Sequence, residues 1–138
     1  MIVSIIGLGY IGLPTAAVLA SKDIKVVGVD VSQYVVDTIN QGKIHIIEPG
    51  LDALVREAVQ KNHLKAVINP EKADIFMIAV PTPFKGNHEP DLSYIRLAAK
   101  AIAPVLEKGN LVILESTSPV GATEKMMTWM REERIDLS

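Results

Sequence analysis

Gly7, Gly9 and Gly12 fall in the run Gly7-Leu8-Gly9-Tyr10-Ile11-Gly12, directly after the apolar stretch Ile2 to Ile6. The first glycine of such a run permits a tight turn out of a strand. The second leaves the backbone open to a pyrophosphate, and the third lets a helix lie close against a sheet. A helix starting there presents unpaired N–H groups and its positive dipole end to phosphates. Pro14 falls in the first helical turn, where its missing N–H does little harm. Three glycines alone fit any tight turn, but between a strand and a helix they point to a dinucleotide.

Asp30 ends the apolar run Lys25 to Val29, about 20 residues further on, the place where a carboxylate accepts hydrogen bonds from adenosine ribose hydroxyls. A carboxylate there also repels a 2′-phosphate, and Val31-Ser32-Gln33-Tyr34 supplies no Arg or Lys to receive one. NAD is therefore expected over NADP. The plainer alternative is a solvated aspartate in a turn.

Two further segments carry hydroxyls where strands should end. Thr82 sits in Val80-Pro81-Thr82-Pro83, stiffened by two prolines, and Thr117 in Glu115-Ser116-Thr117-Ser118-Pro119-Val120-Gly121. In an open parallel sheet, ligands collect at the carboxyl ends of strands. Each segment reads equally well as a ligand contact or as turn chemistry, with Ser118-Pro119 a cap and first-turn proline. His45, His63 and His88 have no ligand-like spacing, so no metal is expected. Met126, Met127, Trp129 and Met130 read as helix packing surface or as a contact with a further part of the protein.

These residues need strands and helices in strict alternation to bring them together. Val- and Ile-rich runs at 2–6, 25–29, 66–68, 75–80 and 111–114 predict five strands, several apolar at consecutive positions as parallel strands covered on both faces are. Helical spacing is predicted at 11–21, 32–41, 51–62, 92–106 and about 122–134, with Ser32 and Asp91 as caps. Pro49-Gly50 separates the second and third helices, and 81–90 is expected to loop. The fold class is α/β, a doubly wound parallel sheet of the Rossmann type. A complete sheet of this type has six strands, and the sequence is expected to stop before the sixth.

Composition narrows the partners. The 138 residues suit one domain with one core, and 49% apolar with 22% charged suits a folded soluble chain. Lys plus Arg (14) nearly balances Asp plus Glu (16), and aromatics are 4%, so neither nucleic acid nor an anionic membrane is expected as a partner. No apolar run spans a bilayer, the start does not read as a signal peptide, and cysteine is absent. A cytoplasmic setting is the expectation.

Four motifs in one order carry a family resemblance. Gly7-Leu8-Gly9-Tyr10-Ile11-Gly12-Leu13-Pro14, Glu48-Pro49-Gly50-Leu51, Val80-Pro81-Thr82-Pro83 and Ser116-Thr117-Ser118-Pro119-Val120-Gly121 together resemble the UDP-glucose/UDP-mannuronate dehydrogenase family across the whole chain. Ile44 to Pro49, Ala79 to Gly86 and Leu114 to Gly121 look most like the branch acting on UDP-N-acetyl-D-mannosamine.

The resemblance implies oxidation of a sugar C6 alcohol to a carboxylate with two NAD and one water, giving a uronate for bacterial surface polysaccharide. It implies that Tyr10 and Ile11 meet the pyrophosphate, Asp30 the adenosine ribose, and Thr82 and Thr117 the rest of the cofactor. Thr117 would also hold a catalytic water. Residues 1–138 would be the NAD-binding domain, with the central and UDP-sugar domains beyond it. The parent would be a homo-oligomer.

Two departures limit that inheritance. Val35 stands where UDP-glucose enzymes often carry arginine. The family's cysteine nucleophile is absent, so these residues alone are not expected to turn over. UDP-glucose oxidation, a stand-alone NAD-binding module and a 3-hydroxyacid or 6-phosphogluconate dehydrogenase are the competing readings.

Overall fold

The computed structural model describes residues 1–81, 91–115 and 122–133. In chain order the elements are β1 (Ile2–Ile6), α1 (Gly12–Ser21), β2 (Lys25–Val29), α2 (Gln33–Asn40), α3 (Leu51–Gln60), β3 (Leu64–Val67), β4 (Ile75–Ile78), α4 (Ser93–Ile102) and β5 (Leu111–Leu114). The last is α5 (Ala122–Glu133). The five strands form one sheet in the order β3-β2-β1-β4-β5, every neighbouring pair parallel. After three strands built outward from β1, the chain returns to β1's other side. The order thus reverses between β1 and β4, the place where such sheets bind ligands.

Side chains alternate across the sheet, and both faces are covered. Val3 and Ile5 of β1 join Leu13, Ala16, Ala17, Val36, Ile39 and Val55 from α1, α2 and α3 in one core. Ile6, Val27, Val29, Phe76 and Ile78 point the other way, onto Ile95, Ala99 and Ile102 of α4 and Met126 and Met130 of α5. This double coverage is why the strands read as continuous apolar runs. Trp129 packs against the second core, with the Arg96 guanidinium 6.0 Å from its ring centre.

Boundaries shift where backbone chemistry overrides periodicity. The predicted 92–106 helix ends at Ile102 and tightens into a 3-10 turn, Ala103–Val105, because Pro104 has no N–H to continue the α pattern. β3 starts two residues earlier than expected, at Leu64, and β4 stops at Ile78. Ser32 caps α2 through its side chain, accepting from the Val35 N–H at 3.4 Å. Asp91 stands one residue before the cap position, Leu92, yet still accepts the Ser93 N–H at 2.9 Å. Glu48-Pro49-Gly50-Leu51 forms a turn closed by the Leu51 N–H donating to the Glu48 carbonyl at 3.2 Å, and α3 begins straight after it.

The two margins of the sheet differ. At β3, the Asn40 amide acts like one residue of a further strand. Its nitrogen donates to the Ala66 carbonyl at 2.9 Å and its oxygen accepts the Ala66 N–H at 2.8 Å. Among the described residues no strand lies outside β5, where Leu111 and Ile113 are exposed. Ala66 is buried, so Asn40→Ala strands both of its backbone groups. A loss of about 2 kcal/mol is expected, read as a lower urea midpoint at unchanged slope.

Candidate functional site

The functional geometry begins with the residue that leaves each strand. Asp30 N–H donates to the Val67 carbonyl at 3.1 Å, Gly7 to Val29 at 2.8 Å, Ala79 to Ile6 at 2.8 Å and Glu115 to Ile78 at 2.8 Å. The ladder therefore continues one step past four strands. Asp30, Gly7, Ala79 and Glu115 stand in a row across one rim, following β2, β1, β4 and β5. The glycine loop, Asp30 and the starts of the two hydroxyl-bearing segments are brought together. Thr82 and Thr117 themselves lie outside the described residues.

The glycine loop is held by contacts no side chain would permit. Gly7 has a φ of +97°, and a Cβ on it would lie 2.7 Å from the Ala79 carbonyl oxygen. A Cβ on Gly12 would run into the Gly7 carbonyl oxygen, so the first turn of α1 rests directly on the loop backbone. Gly9 differs: apart from its chain neighbours, no atom of the described residues lies within 4 Å of its Cβ position. Two glycines thus shape the cradle and the third leaves it open. At the start of α1 the cap residue, Ile11, makes no side-chain capping hydrogen bond, unlike Ser32 at α2, and its positive dipole end suits an anion. Tyr10 and Ile11 are exposed beside it.

Asp30 does two jobs. One carboxylate oxygen accepts the Leu8 N–H at 3.1 Å and the other the Ser32 N–H at 2.9 Å. It therefore pins the glycine loop to the start of α2. A carboxylate has about four lone-pair sites, so acceptor capacity remains for two ribose hydroxyls. Leu8 is buried over Gly28, where a Cβ would lie 2.8 Å from the leucine side chain. Gly28 escaped sequence reading, because a glycine inside a strand carries no motif. Val31, next to Asp30 in sequence, and Tyr34, in the first turn of α2, are both exposed.

Glu115 was read only as the first letter of a motif. Its Oε1 lies 3.3 Å from the Thr15 hydroxyl, whose single hydrogen is shared with the Ile11 carbonyl at 2.9 Å. Its Oε2 is buried without a partner among the described residues.

The other candidates lie elsewhere. His63 approaches Asp23 at 3.7 Å at the amino end of β3, and His45 lies between α2 and α3. His88 lies outside the described residues. A hollow of about 290 Å³ lined by Leu106, Val112, Met127 and Met130 opens at the amino end of β5, opposite the glycine loop.

A parallel sheet whose order reverses beside a glycine cradle, with a helix start facing it and a carboxylate at the end of the neighbouring strand, defines a Rossmann-type dinucleotide-binding domain. The profile described as "UDP-glucose/GDP-mannose dehydrogenase family, NAD binding domain" matches residues 1–138. The chain belongs to the UDP-glucose/GDP-mannose dehydrogenase family, and its cofactor is NAD.

It is 69% identical over 137 residues to a UDP-N-acetyl-D-mannosamine dehydrogenase of Campylobacter jejuni, covering 99% of this chain and 34% of that protein. It is 64% identical over 136 residues to an NDP-N-acetyl-D-galactosaminuronic acid dehydrogenase of Ralstonia nicotianae, covering 99% and 32%. A solved UDP-D-ManNAc dehydrogenase from Pyrococcus horikoshii superposes with a TM-score of 0.91 at 42% identity, covering 96% of this chain and 32% of that one. The chain thus spans about a third of the length of its relatives.

Proposed function

We propose that residues 1–138 are the NAD-binding domain of an enzyme that oxidises UDP-N-acetyl-D-mannosamine to UDP-N-acetyl-D-mannosaminuronate with two NAD, for bacterial surface polysaccharide. The observation that carries this reading is 69% identity, across nearly the whole chain, to a protein named for that activity. The cradle supports it. Gly7 and Gly12 shape the turn, Gly9 leaves room for the pyrophosphate, and Tyr10 and Ile11 flank it. Asp30 receives the adenosine ribose, and Val31 and Tyr34 offer an apolar surface to the adenine. By the family resemblance, Thr82 and Thr117, which follow β4 and β5 in sequence, meet the rest of the cofactor, with Thr117 holding water.

When bound, NAD takes a hydride from the sugar C6. The residues of this chain hold and orient the cofactor for that transfer. The thiol step of the second oxidation needs a cysteine from elsewhere in the polypeptide, since this sequence has none. The enzyme works in the cytoplasm as a homo-oligomer. Among the described residues no helix is long and apolar enough to cross a membrane.

The Ralstonia relative favours a second reading, an N-acetylgalactosamine nucleotide as substrate. Turnover of the whole polypeptide with UDP-N-acetylmannosamine, UDP-N-acetylgalactosamine and UDP-glucose, followed by NADH absorbance, separates the two. The mannosamine nucleotide is expected to give the highest kcat/KM, by at least about tenfold, a margin within reach of one well-placed polar contact. Comparable rates with UDP-glucose would remove the proposal. NAD binding without turnover of any nucleotide sugar would leave a stand-alone binding module.

A further inference from the structure

We infer that Glu115 accepts a hydrogen bond from the nicotinamide carboxamide and so reads the uncharged end of the cofactor. This rests on the NAD-binding reading. Asp30 follows β2 and Glu115 follows β5, three strand steps apart on the same rim. At roughly 4.8 Å per step the separation is roughly 14 Å, the scale of a dinucleotide laid across the carboxyl ends. With the adenosine ribose at Asp30 and the pyrophosphate at the glycine loop, the nicotinamide end falls toward β4 and β5.

Glu115 is prepared for a donor there. Oε1 lies beside the Thr15 hydroxyl, one helical turn beyond the exposed Ile11, and shares its hydrogen with the Ile11 carbonyl. Oε2 is buried with no donor among the described residues, and a buried carboxylate oxygen gains from a donor that a ligand brings to it. The carboxamide NH2 offers two donors. The cationic ring of oxidised nicotinamide favours a negative neighbour, so a carboxylate suits this place better than a neutral amide.

Calorimetric titration of the protein with NAD, ADP-ribose and nicotinic acid adenine dinucleotide tests the assignment. The last carries a carboxylate in place of the carboxamide. The unmodified protein is expected to bind it about tenfold or more weakly than NAD, through lost donation and like-charge repulsion. Glu115→Gln should weaken NAD about tenfold, leave ADP-ribose unchanged and erase the preference for NAD over its acid analogue.

Equal affinity of the unmodified protein for NAD and the acid analogue would overturn the inference, whether or not the variant folds. Equal losses of NAD and ADP-ribose in Glu115→Gln would also overturn it, leaving Glu115 a general support of the loop. Failure of the unmodified protein to bind ADP-ribose at all would instead strike the NAD-binding reading itself.

Discussion

Replacing Gly12 with alanine is expected to cost about 4 kcal/mol of stability and to abolish measurable NAD binding. The added methyl meets the Gly7 carbonyl oxygen, the Gly7 carbonyl carbon at 2.9 Å and the Ile5 side chain at 3.3 Å. Two of those three neighbours are backbone, so no rotamer change relieves the overlap, and α1 must lift off the sheet. Lifting it pulls apart the core around Leu13, Ala16 and Ala17 and carries the phosphate-facing helix start with it. At about 4 °C per kcal/mol for a chain of this size, the melting temperature should fall by roughly 15 °C.

Gly9→Ala is the matching control. Among the described residues nothing beyond its chain neighbours lies within 4 Å of the Gly9 Cβ position, so stability should stay within about 0.5 kcal/mol. NAD affinity should fall all the same, because the methyl occupies the space left for the pyrophosphate. Calorimetry and thermal melting of the two variants separate the glycine that shapes the cradle from the one that leaves it open. A Gly12→Ala protein that melts normally and binds NAD would contradict the described contact.

Asp30→Ala should lower NAD affinity about a hundredfold and remove most of the preference for NAD over NADP. Hydrogen bonds to a charged group contribute about 1.5–3 kcal/mol each, and losing ribose contacts reaches a hundredfold at about 2.7 kcal/mol. Repulsion of a 2′-phosphate disappears with the carboxylate, so NADP gains relative to NAD. Part of the effect is structural, since the Leu8 and Ser32 N–H groups lose their acceptor. Melting should record that part as about 1–2 kcal/mol. Asp30→Asn cannot restore both anchors, because one of its two positions presents NH2 to a backbone N–H. Titration with both cofactors decides the matter, and unchanged NAD affinity in Asp30→Ala would end the ribose assignment.

Much of this site was legible because its physics is local. A strand, a tight turn and a helix start are written in consecutive residues, and Gly7, Gly9 and Gly12 fall in the expected places. Ser32 as a cap is equally local. The parallel order followed from strands that stay apolar at consecutive positions, which only two-sided coverage explains. The four motifs together carry the family to which the chain belongs.

What stayed hidden depends on neighbours distant in sequence. Asp30 showed its place but not its bond to Leu8, 22 residues away. Asn40 looked like an ordinary helix end, yet it meets Ala66 across 26 residues. Thr15 and Glu115 stand 100 residues apart and become partners only once β5 lies beside β4. Pro104 was visible throughout, but the helical period of its neighbours masked its veto on the last turn of α4.

The unequal margins of the sheet give it a direction of growth. Beside β3, a carboxamide already occupies the pairing groups of Ala66, so another backbone arriving there would first have to displace it. Beside β5, Leu111 and Ile113 offer apolar footing next to a ladder that continues to Glu115. Among the described residues, the open berth for any polypeptide that lengthens this sheet lies beside β5, and it adjoins the cofactor rim.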